Sequence, residues 1–443
     1  MDKPKPTCLK FGKKQLRPHQ IRVIKILFDN FSILAAHGTG TGKTLTAVAA
    51  SECLLYMKKV TRVIVATPRA LVDNFWKELL MYKDTVDVEK YTVGTYQSIE
   101  KKFKENPVFF KNAFLIIDEA HNLRTEVSES KGKMTGRMAS NFIKMATKVN
   151  KVLLLTATPL VNRIEEFNNL YQILVGAGKI QGYKAFMSKL NLDTKNCPMD
   201  LQHFQNLIDV HKRTMTDTNF PRVQRKDESF FMTGNYLEEY KTLEKKINEE
   251  RDFSFFTKLR QLMNKMGNAE VYKVAFVLDS LIYNHKHKVK TVIFSQFLTN
   301  GVHLTANYLA AKKIPYFLVT GKTKKMDIKA AVIDFNKMKH GGILFISRAG
   351  GEGLDLKGVR EMFLMEPFWN ENNETQAIGR AVRYLSNSHL PPSEREVKIF
   401  RLILKKPKGL FNRWVRRPSV DEWLVQKAKD KQISIDQFIR CLA

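Results

Sequence analysis

The sequence has few cysteines and no pattern that would join them. Its four cysteines, Cys8, Cys53, Cys197 and Cys441, lie far apart and form no Cys-x-x-Cys pair. Neither a zinc site nor a disulfide framework is therefore expected, and free thiols suit a reducing compartment. The ten histidines show no metal-ligand spacing either.

Long apolar runs are also missing. No run approaches the roughly 20 residues that cross a membrane. The N-terminal residues MDKPKPTCLK are basic, but they lack the apolar core of a signal peptide. These absences predict a soluble, intracellular protein. With 443 residues, 44% of them hydrophobic, the chain is long enough for two or three domains.

The sequence also has few acidic residues compared with basic ones. The chain has 44 Asp and Glu against 74 Lys and Arg, which leaves a net charge of +30. A charge of this size indicates a polyanionic partner, nucleic acid first. A protein that is merely basic, or that docks on an acidic protein, would show the same excess.

A glycine-rich turn follows an apolar strand in ILAAHGTGTGKTLT, residues 33–46, and a helix-period segment follows the turn. Glycines let the backbone wrap close to phosphates, and the N–H groups at the helix start point at the anion. Lys43 is placed to reach the β- and γ-phosphates, and Thr44 to bind Mg²⁺. The strict pattern has glycine where His37 stands, so a glycine-rich turn without a ligand is the alternative.

Two adjacent carboxylates, Asp118 and Glu119, end another apolar run at residues 114–117. Beside a nucleotide, Asp118 would hold Mg²⁺ and Glu119 would orient and deprotonate the attacking water. The alternative is a solvated pair after a strand. Further buried strands are predicted at residues 63–66, 91–93 and 152–155. Their alternation with helices predicts a parallel α/β sheet with a site along its C-terminal edge.

Residues 160–285 change character to long polar helices, LQHFQNLIDVHK among them, with one extended segment, FPRVQRKDESFFMT. A second α/β pattern then begins near Val271, with strands predicted at residues 291–294, 316–319, 343–346, 362–365 and 397–400. It carries the loop SRAGGEGLD and a predicted helix, QAIGRAVR, which would place Arg380 and Arg383 on one face. These arginines form either a solvated patch or fingers that reach a γ-phosphate on the other lobe.

Taken together, the motifs resemble those of the superfamily-two helicases, and within them the Swi/Snf-type branch, from about Leu16 to Pro391. In family order they are LRPHQ (adenine reading), GTGTGKT (motif I), VATPRALVDNFWKEL (Ia), VGTYQSI (Ib), IIDEAHNLR (II, a DEAH box), LLLTATPLVNRIEEFNNLYQIL (III), VIFSQF (IV), SRAGGEGLDL (V) and PFWNENNETQAIGRAVR (VI).

The resemblance implies an α/β fold of two tandem RecA-like parallel-sheet lobes with a helical insertion between them. It divides the chain into an ATP-binding lobe at 1–175, a helical protrusion and linker at 176–265, a C-terminal lobe at 266–405 and a basic helical tail at 406–443. The tail would be either a further nucleic-acid contact or a cap on the second lobe.

The resemblance also implies roles for individual residues. The catalytic residues would be Lys43, Asp118, Glu119, Arg380 and Arg383. ATP would be bound by Gln20 at the adenine, by His37, Gly38, Thr39, Gly40, Thr41, Gly42, Lys43 and Thr44 at the phosphates, and by Asp355 near the ribose. Mg²⁺ would be held by Thr44 and Asp118. Thr156 and Thr158 would couple nucleotide state to the grip on nucleic acid, and its backbone would be contacted by Arg69, Thr95, Ser295, Ser347 and Arg348.

Motif VI departs from the chromatin remodellers, which follow these arginines with an Ile-Gly-Gln run. The residues YLSNSH at 384–389 look more like those of the ATPases of large cytoplasmic DNA viruses, such as the poxvirus nucleoside triphosphatase I and the early transcription factor small subunit. This implies an ATP-driven translocase on double-stranded DNA that hydrolyses ATP at the lobe interface and serves viral-type transcription or genome handling. An RNA polymerase or a transcription factor subunit would be a partner.

The resemblance places the protein in the cytoplasm, a viral factory or a virion in preference to the nucleus. Three alternatives stay open: a true helicase that unwinds RNA or DNA, an ATPase subunit of a transcription initiation or termination factor, and a non-catalytic binding module.

Overall fold

A computed structural model of the chain describes residues 7–123, 137–160, 164–176, 207–211, 219–250, 253–264, 272–338, 341–351, 353–407 and 418–442. The chain divides into two units, Met1–Arg213 with Lys431–Ala443 and Thr214–Asp430. Each unit contains one six-stranded sheet whose paired strands all run parallel. The expected fold class of two tandem parallel-sheet α/β lobes is confirmed.

The sheet of the first unit has the strand order β3-β2-β4-β5-β1-β6. Its strands are β1 (Ser32–His37), β2 (Arg62–Ala66), β3 (Tyr91–Gly94), β4 (Ala113–Asp118), β5 (Lys151–Thr156) and β6 (Ile208–His211). The described helices of this unit are α1 (Pro18–Asp29), α2 (Lys43–Tyr56), α3 (Val72–Tyr82), α4 (Tyr96–Glu105), α5 (Arg137–Ala146) and α6 (Asn168–Leu174).

Both faces of this sheet are covered, and the strand sequences show why. Along β1 every residue is buried, and successive side chains enter opposite core clusters: Ile33 and Ala35 on one face, Leu34 and Ala36 on the other. A strand buried on both faces reads as a continuous apolar run. This explains why apolar runs in the sequence predicted strands β1 to β5 of this unit.

Strand register places three chemically important strand ends side by side. Ala36 of β1 pairs with Thr156 of β5, and Leu155 of β5 pairs with Asp118 of β4. Because parallel strands end at one edge, the phosphate loop after β1 begins beside the ends of β5 and β4. The predicted site along the C-terminal edge of this sheet therefore has a structural basis.

The sheet of the second unit has the order β7-β12-β11-β8-β10-β9. Its strands are β7 (Arg222–Phe231), β8 (Thr291–Ser295), β9 (Phe317–Val319), β10 (Ile343–Ser347), β11 (Glu361–Leu364) and β12 (Glu396–Lys405). The described helices of this unit are α7 (Gly234–Glu250), α8 (Phe253–Leu262), α9 (Tyr272–Lys286), α10 (Leu304–Ala311), α11 (Lys325–Lys337) and α12 (Glu371–Ile378). A last helix, α13 (Val420–Leu442), begins in this unit, and its residues from Lys431 belong to the first unit. Among the described helices of both units, none is long and apolar enough to cross a membrane.

The stretch between the two predicted lobes contains strands as well as helices. The expected helix LQHFQNLIDVHK is wrong at residues 208–211, which form β6 and pair with β1. Its first residues, 201–206, lie outside the described part of the chain. The predicted extended segment contains β7, which pairs with β12 over ten residues. Neither pairing has a local signal, since each partner lies far away in the sequence.

The expectation of free thiols is wrong for two of the cysteines. Cys8 and Cys53 are both fully buried and form a disulfide, with 5.1 Å between their Cα atoms. Cys53 lies in α2, the helix that follows the phosphate loop, and Cys8 lies in a short 3-10 helix at Thr7–Lys10. The side chains of Cys197 and Cys441 lie outside the described residues.

Candidate active site

The phosphate loop, residues 37–44, begins where β1 ends and runs directly into α2. Gly40 and Gly42 have φ angles of 76° and 85°, a left-handed conformation that glycine adopts without a Cβ clash. A Cβ at Gly42 would also meet Gln20 Nε2 at 2.5 Å. The loop therefore needs glycine at this position for both its conformation and its packing.

Lys43 is the first residue of α2, and its ammonium group lies over the start of the loop. Its Nζ donates hydrogen bonds to the carbonyl oxygens of His37 at 3.1 Å and Gly38 at 3.3 Å. Thr44 follows in the first turn and is partly buried. A lysine folded back over its own loop holds a positive charge where the phosphates of a nucleotide would bind.

Asp118 is a buried carboxylate at the end of β4. It accepts hydrogen bonds from Thr67 Oγ1 at 3.2 Å and from the Glu119 backbone N–H at 3.0 Å. Burial raises the pKa of Asp118 to about 7; the charge of Glu119 acts in the same direction, and the charge of Lys43 opposes it. The charge of Lys43 therefore balances this carboxyl group only in part, and such an environment suits a metal ligand.

Glu119 is held in an unusual backbone conformation, with a φ of 53°. Few residues other than glycine adopt this region, and such strain is often found at functional sites. The hydroxyl of Tyr96 donates hydrogen bonds to the carbonyl oxygens of Asp118 and Glu119, the latter at 3.0 Å. Tyr96 thus supports the turn from behind, and no local pattern distinguished it from an ordinary core tyrosine.

A histidine joins the carboxylates to the end of β5. His121 Nδ1 lies 3.4 Å from Glu119 Oε2 and 3.1 Å from Thr156 Oγ1. Thr156 Oγ1 in turn accepts a hydrogen bond from the Thr158 backbone N–H at 3.0 Å. The residue expected to activate water and the two threonines expected to couple it therefore belong to one contact network.

Gln20 contacts the phosphate loop rather than solvent. Its Nε2 donates to the Gly42 carbonyl at 3.1 Å and to the Thr41 carbonyl at 3.4 Å, and its Oε1 accepts from the Arg17 backbone N–H at 2.8 Å. The side chain is 1% exposed. These contacts place Gln20 against the nucleotide loop, and adenine recognition by this residue stays a prediction.

The predicted nucleic-acid contacts of the first unit lie on the same edge of the sheet. Arg69 is exposed in a short 3-10 helix after β2. Thr95 caps α4, because its side-chain oxygen accepts a hydrogen bond from the Ser98 backbone N–H at 3.2 Å. The strand ends of β2 and β3 thus carry both residues.

In the second unit, the predicted contact residues differ in exposure. Arg348 is exposed, whereas Ser347 is buried and its Oγ accepts a hydrogen bond from the Gly350 N–H at 3.3 Å. Ser295 is fully buried, and its hydroxyl donates to Glu366 Oε1 at 2.6 Å. Arg348 is therefore the member of this set whose side chain can meet a phosphate without rearrangement.

Motifs V and VI meet within the second unit. Arg383 Nε lies 3.8 Å from Asp355 Oδ1 and donates to the Gly379 carbonyl at 2.9 Å. The expected helix carrying both arginines is wrong, because α12 ends at Ile378, Arg380 follows in a turn and Arg383 lies in irregular structure. Their action on a nucleotide stays a prediction.

The residues expected to hold Mg²⁺ suit that ion. No group of three or more His, Cys, Asp or Glu that could hold a metal occurs among the described residues. Mg²⁺ in nucleotide sites commonly takes one or two protein oxygens, with phosphates and waters as the remaining ligands. A buried Asp118 carboxylate and a Thr44 hydroxyl supply the oxygen donors of such a partial ligand set.

Comparison with known families decides the classification. Residues 13–161 match the model of the type III restriction enzyme res subunit, and residues 272–385 match the helicase conserved C-terminal domain. The chain belongs to the superfamily-two helicases. The predicted resemblance is thereby confirmed, and the protein is an enzyme that hydrolyses nucleoside triphosphates.

Viral relatives are similar to this superfamily-two helicase over most of its length. It is 29% identical to a protein of Acanthamoeba polyphaga mimivirus that is named as an ATP-dependent RNA helicase, over 94% of either chain. It is 24% identical to nucleoside triphosphatase I of Choristoneura biennis entomopoxvirus, over 91% of this chain and 74% of that one. The expected likeness to ATPases of large DNA viruses is confirmed.

Among solved structures, the Sulfolobus solfataricus SWI2/SNF2 ATPase core in complex with dsDNA is similar over 98% of this chain and 97% of that chain. The TM-score is 0.40 and the identity 18%. A likeness at this level is too weak to bear on the function of this chain.

Proposed function

We propose that this superfamily-two enzyme is an ATP-driven translocase on double-stranded DNA that serves viral-type transcription or genome handling. The observation that carries the proposal is the contact network through His121. It joins Glu119, the residue expected to activate water, to Thr156, at distances of 3.4 and 3.1 Å. A change at the γ-phosphate can therefore reach Thr156 at the end of β5, where the Thr-Ala-Thr segment of residues 156–158 begins.

The positive charge of the chain supports nucleic acid as the polymer along which the enzyme moves. The net charge of +30 would favour any phosphate backbone, and the exposed Arg69 and Arg348 stand at strand ends where a backbone would be gripped. Contacts to phosphates carry no sequence information. This suits a motor that must hold every sequence along which it moves.

The hydrolytic chemistry follows from the site. Lys43 offsets the negative charge of the β- and γ-phosphates, and Glu119 orients and deprotonates the attacking water. Mg²⁺ held by Thr44 and Asp118 would neutralise charge on the phosphate oxygens. Arg380 and Arg383 would stabilise the charge that develops in the transition state.

The domain layout is part of the same proposal. The two matching family models, at 13–161 and 272–385, fall inside the ATP-binding lobe proposed at 1–175 and the C-terminal lobe proposed at 266–405. The remaining ranges are proposed as a protrusion and linker at 176–265, which also supplies β6 and β7 to the two sheets, and as a basic tail at 406–443.

ATP hydrolysis by the purified chain tests both the active-site residues and the preference for duplex DNA. Lys43→Ala and Glu119→Gln should each abolish turnover, since each removes a group that acts on the phosphates. Retained turnover in both variants would show that the active site lies elsewhere. Wild-type turnover should rise more with duplex DNA than with single-stranded DNA or RNA at equal, stated salt. A rate that no nucleic acid changes would argue against a translocase.

An unwinding helicase is the second candidate, because the mimivirus relative is named as an RNA helicase. A strand-displacement assay on tailed DNA and RNA duplexes separates the two. Release of the shorter strand would favour unwinding, whereas displacement of a triplex-forming strand without duplex opening would favour translocation. Co-purification with a viral-type RNA polymerase would instead support a transcription factor subunit.

A further inference from the structure

A group of charged and aromatic side chains, most of them buried, lies against the phosphate loop. It consists of Arg22 and His19 from α1, His37 from the end of β1, and Asp209 and His211 from β6, and we name it the histidine–aspartate cluster. None of these side chains has a part in the hydrolytic chemistry described above. The cluster nevertheless contacts the loop near its first residue and again at Thr41.

Asp209 is the centre of the cluster. Its side chain is 3% exposed and contacts two other side chains. His37 Nε2 lies 2.7 Å from Oδ1. Arg22 donates from Nε to Oδ2, and from Nη2 to Oδ1 at 3.0 Å. Burial alone would raise the pKa of Asp209, but the hydrogen bonds from His37 and Arg22 outweigh it and lower this pKa to about 2. Asp209 is therefore an ionised carboxylate at neutral pH, although almost no water reaches it.

His37 links this carboxylate to the start of the loop. The ring is fully buried, and its Nδ1 has no hydrogen-bond partner among the described residues, so the proton belongs on Nε2 and is donated to Asp209. The His37 carbonyl accepts the hydrogen bond from Lys43. One residue thus joins the buried carboxylate to the lysine that would bind the phosphates.

Two further contacts tie the loop to β6 and α1. The Gly38 N–H donates to the His211 carbonyl at 2.9 Å, which continues the pairing of β1 with β6 into the loop. His19 stacks on His211 with ring centres 3.8 Å apart, and its Nε2 lies 3.0 Å from the Thr41 carbonyl. The loop is therefore held near its first residue and again before Gly42.

We propose that Arg22, His37 and Asp209 are positioning residues that fix the phosphate loop in its nucleotide-binding form and thereby set the affinity for ATP. This rests on the proposed nucleotide site. It gives a reason for histidine where the strict loop pattern has glycine: glycine there would leave the buried Asp209 carboxylate without one of its two partners. Removing one partner of a buried charge costs more than the contact itself contributes.

Steady-state ATP hydrolysis by the full chain, with Mg²⁺ and duplex DNA saturating, separates KM from kcat. Asp209→Asn should raise the KM for ATP by about tenfold and leave kcat within about twofold, because the Asp209 side chain contacts His37 and Arg22. His37→Leu should raise the KM by about as much. His37→Gln retains an N–H close to the position of Nε2, so its KM should return to within about threefold of wild type. The double variant should resemble the stronger single variant, since the two residues act as one unit.

Other outcomes overturn the proposal. They are a KM within twofold of wild type in both Asp209→Asn and His37→Leu, a loss confined to kcat, or His37→Gln as impaired as His37→Leu. Should the buried variants fail to fold, Arg22→Gln carries the test, because the Arg22 side chain is 51% exposed and its loss leaves the core intact. Its KM should rise about threefold, and an unchanged KM would again overturn the proposal.

The Lys43→Ala control keeps the two proposals apart. If Lys43→Ala keeps its turnover, the nucleotide site itself is misassigned. If Lys43→Ala is inactive while the cluster variants keep the wild-type KM, only the role of the cluster is refuted. Direct binding of a fluorescent ATP analogue to the same variants should show the same order of affinities as KM.

Discussion

Reduction of the disulfide between Cys8 and Cys53 should weaken the first unit. The bond joins the N-terminal segment to α2, and the cysteines are separated by 45 positions in the sequence. Closing a loop of this length removes entropy from the unfolded chain that corresponds to about 4 kcal/mol at 25 °C, and measured disulfides commonly contribute about 2–4 kcal/mol. At about 2–4 °C per kcal/mol for a domain of this size, the midpoint of thermal unfolding should fall by roughly 5–15 °C.

The assay needs a signal from the first unit alone. Tryptophan fluorescence mixes the units, because Trp76 lies in the first and Trp369 and Trp423 lie in the second. Hydrogen exchange followed by mass spectrometry resolves peptides from β1 and β5, so their protection can be compared with and without a phosphine reductant. Cys8→Ala should match the reduced wild type and show no further response to reductant.

Two results would refute this reasoning. Peptide mapping under non-reducing conditions could recover Cys8 and Cys53 as free thiols, in which case the bond does not form. Protection of β1 and β5 could instead be the same in oxidised and reduced protein, in which case the bond forms but contributes little. A response in β8 or β10, and none in β1, would also contradict the assignment of the effect to the first unit.

Three further predictions concern buried groups. Asp421→Asn should destabilise the second unit by about 3–5 kcal/mol in urea unfolding, because it removes the carboxylate that pairs, at 2.8 Å from Oδ2, with the fully buried ammonium group of Lys273; a loss below 1 kcal/mol would contradict this. The Mg²⁺ concentration for half-maximal hydrolysis should rise by up to about tenfold per pH unit below pH 7, because Asp118, whose pKa burial raises to about 7, must ionise to bind the metal; equal midpoints at pH 6 and 8 would refute it. His121→Ala should reduce the stimulation of hydrolysis by DNA more than the basal rate, and a proportional loss of both would argue against coupling through this residue.

Strands and loops whose residues form a pattern along the chain were predictable from the sequence. Every predicted strand is present, because a strand covered on both faces needs an apolar centre, as β1, β4 and β5 have. The phosphate loop was predictable because its glycines, Lys43 and Thr44 are adjacent in the chain. Asp118 and Glu119 were predictable because they end an apolar strand.

Features made by distant residues could not be predicted in this way. Strand β6 carries Asp209 in its centre, and a charged residue in a four-residue strand obscures the apolar pattern. The two partners of Asp209, Arg22 and His37, lie 187 and 172 positions earlier. The disulfide likewise joins cysteines that share no spacing motif. Such pairs follow from the fold, and the fold is not contained in any single window of sequence.

This difference follows from what each kind of residue must do. Groups that meet a nucleotide stand at strand ends and in a glycine loop, where local sequence determines the backbone and motifs are short. The residues that hold these groups in place need only contact them, so they can come from any element near this edge of the sheet. Tyr96 from α4 supports the Asp118–Glu119 turn, and Asp209 from β6 supports His37. A motif search therefore finds the chemistry of such an enzyme but not the residues that set its affinity. In this chain that argument has a measurable form, because His37 belongs to both groups: it stands inside the motif, yet its ring is turned away from the loop toward a carboxylate that the motif does not contain.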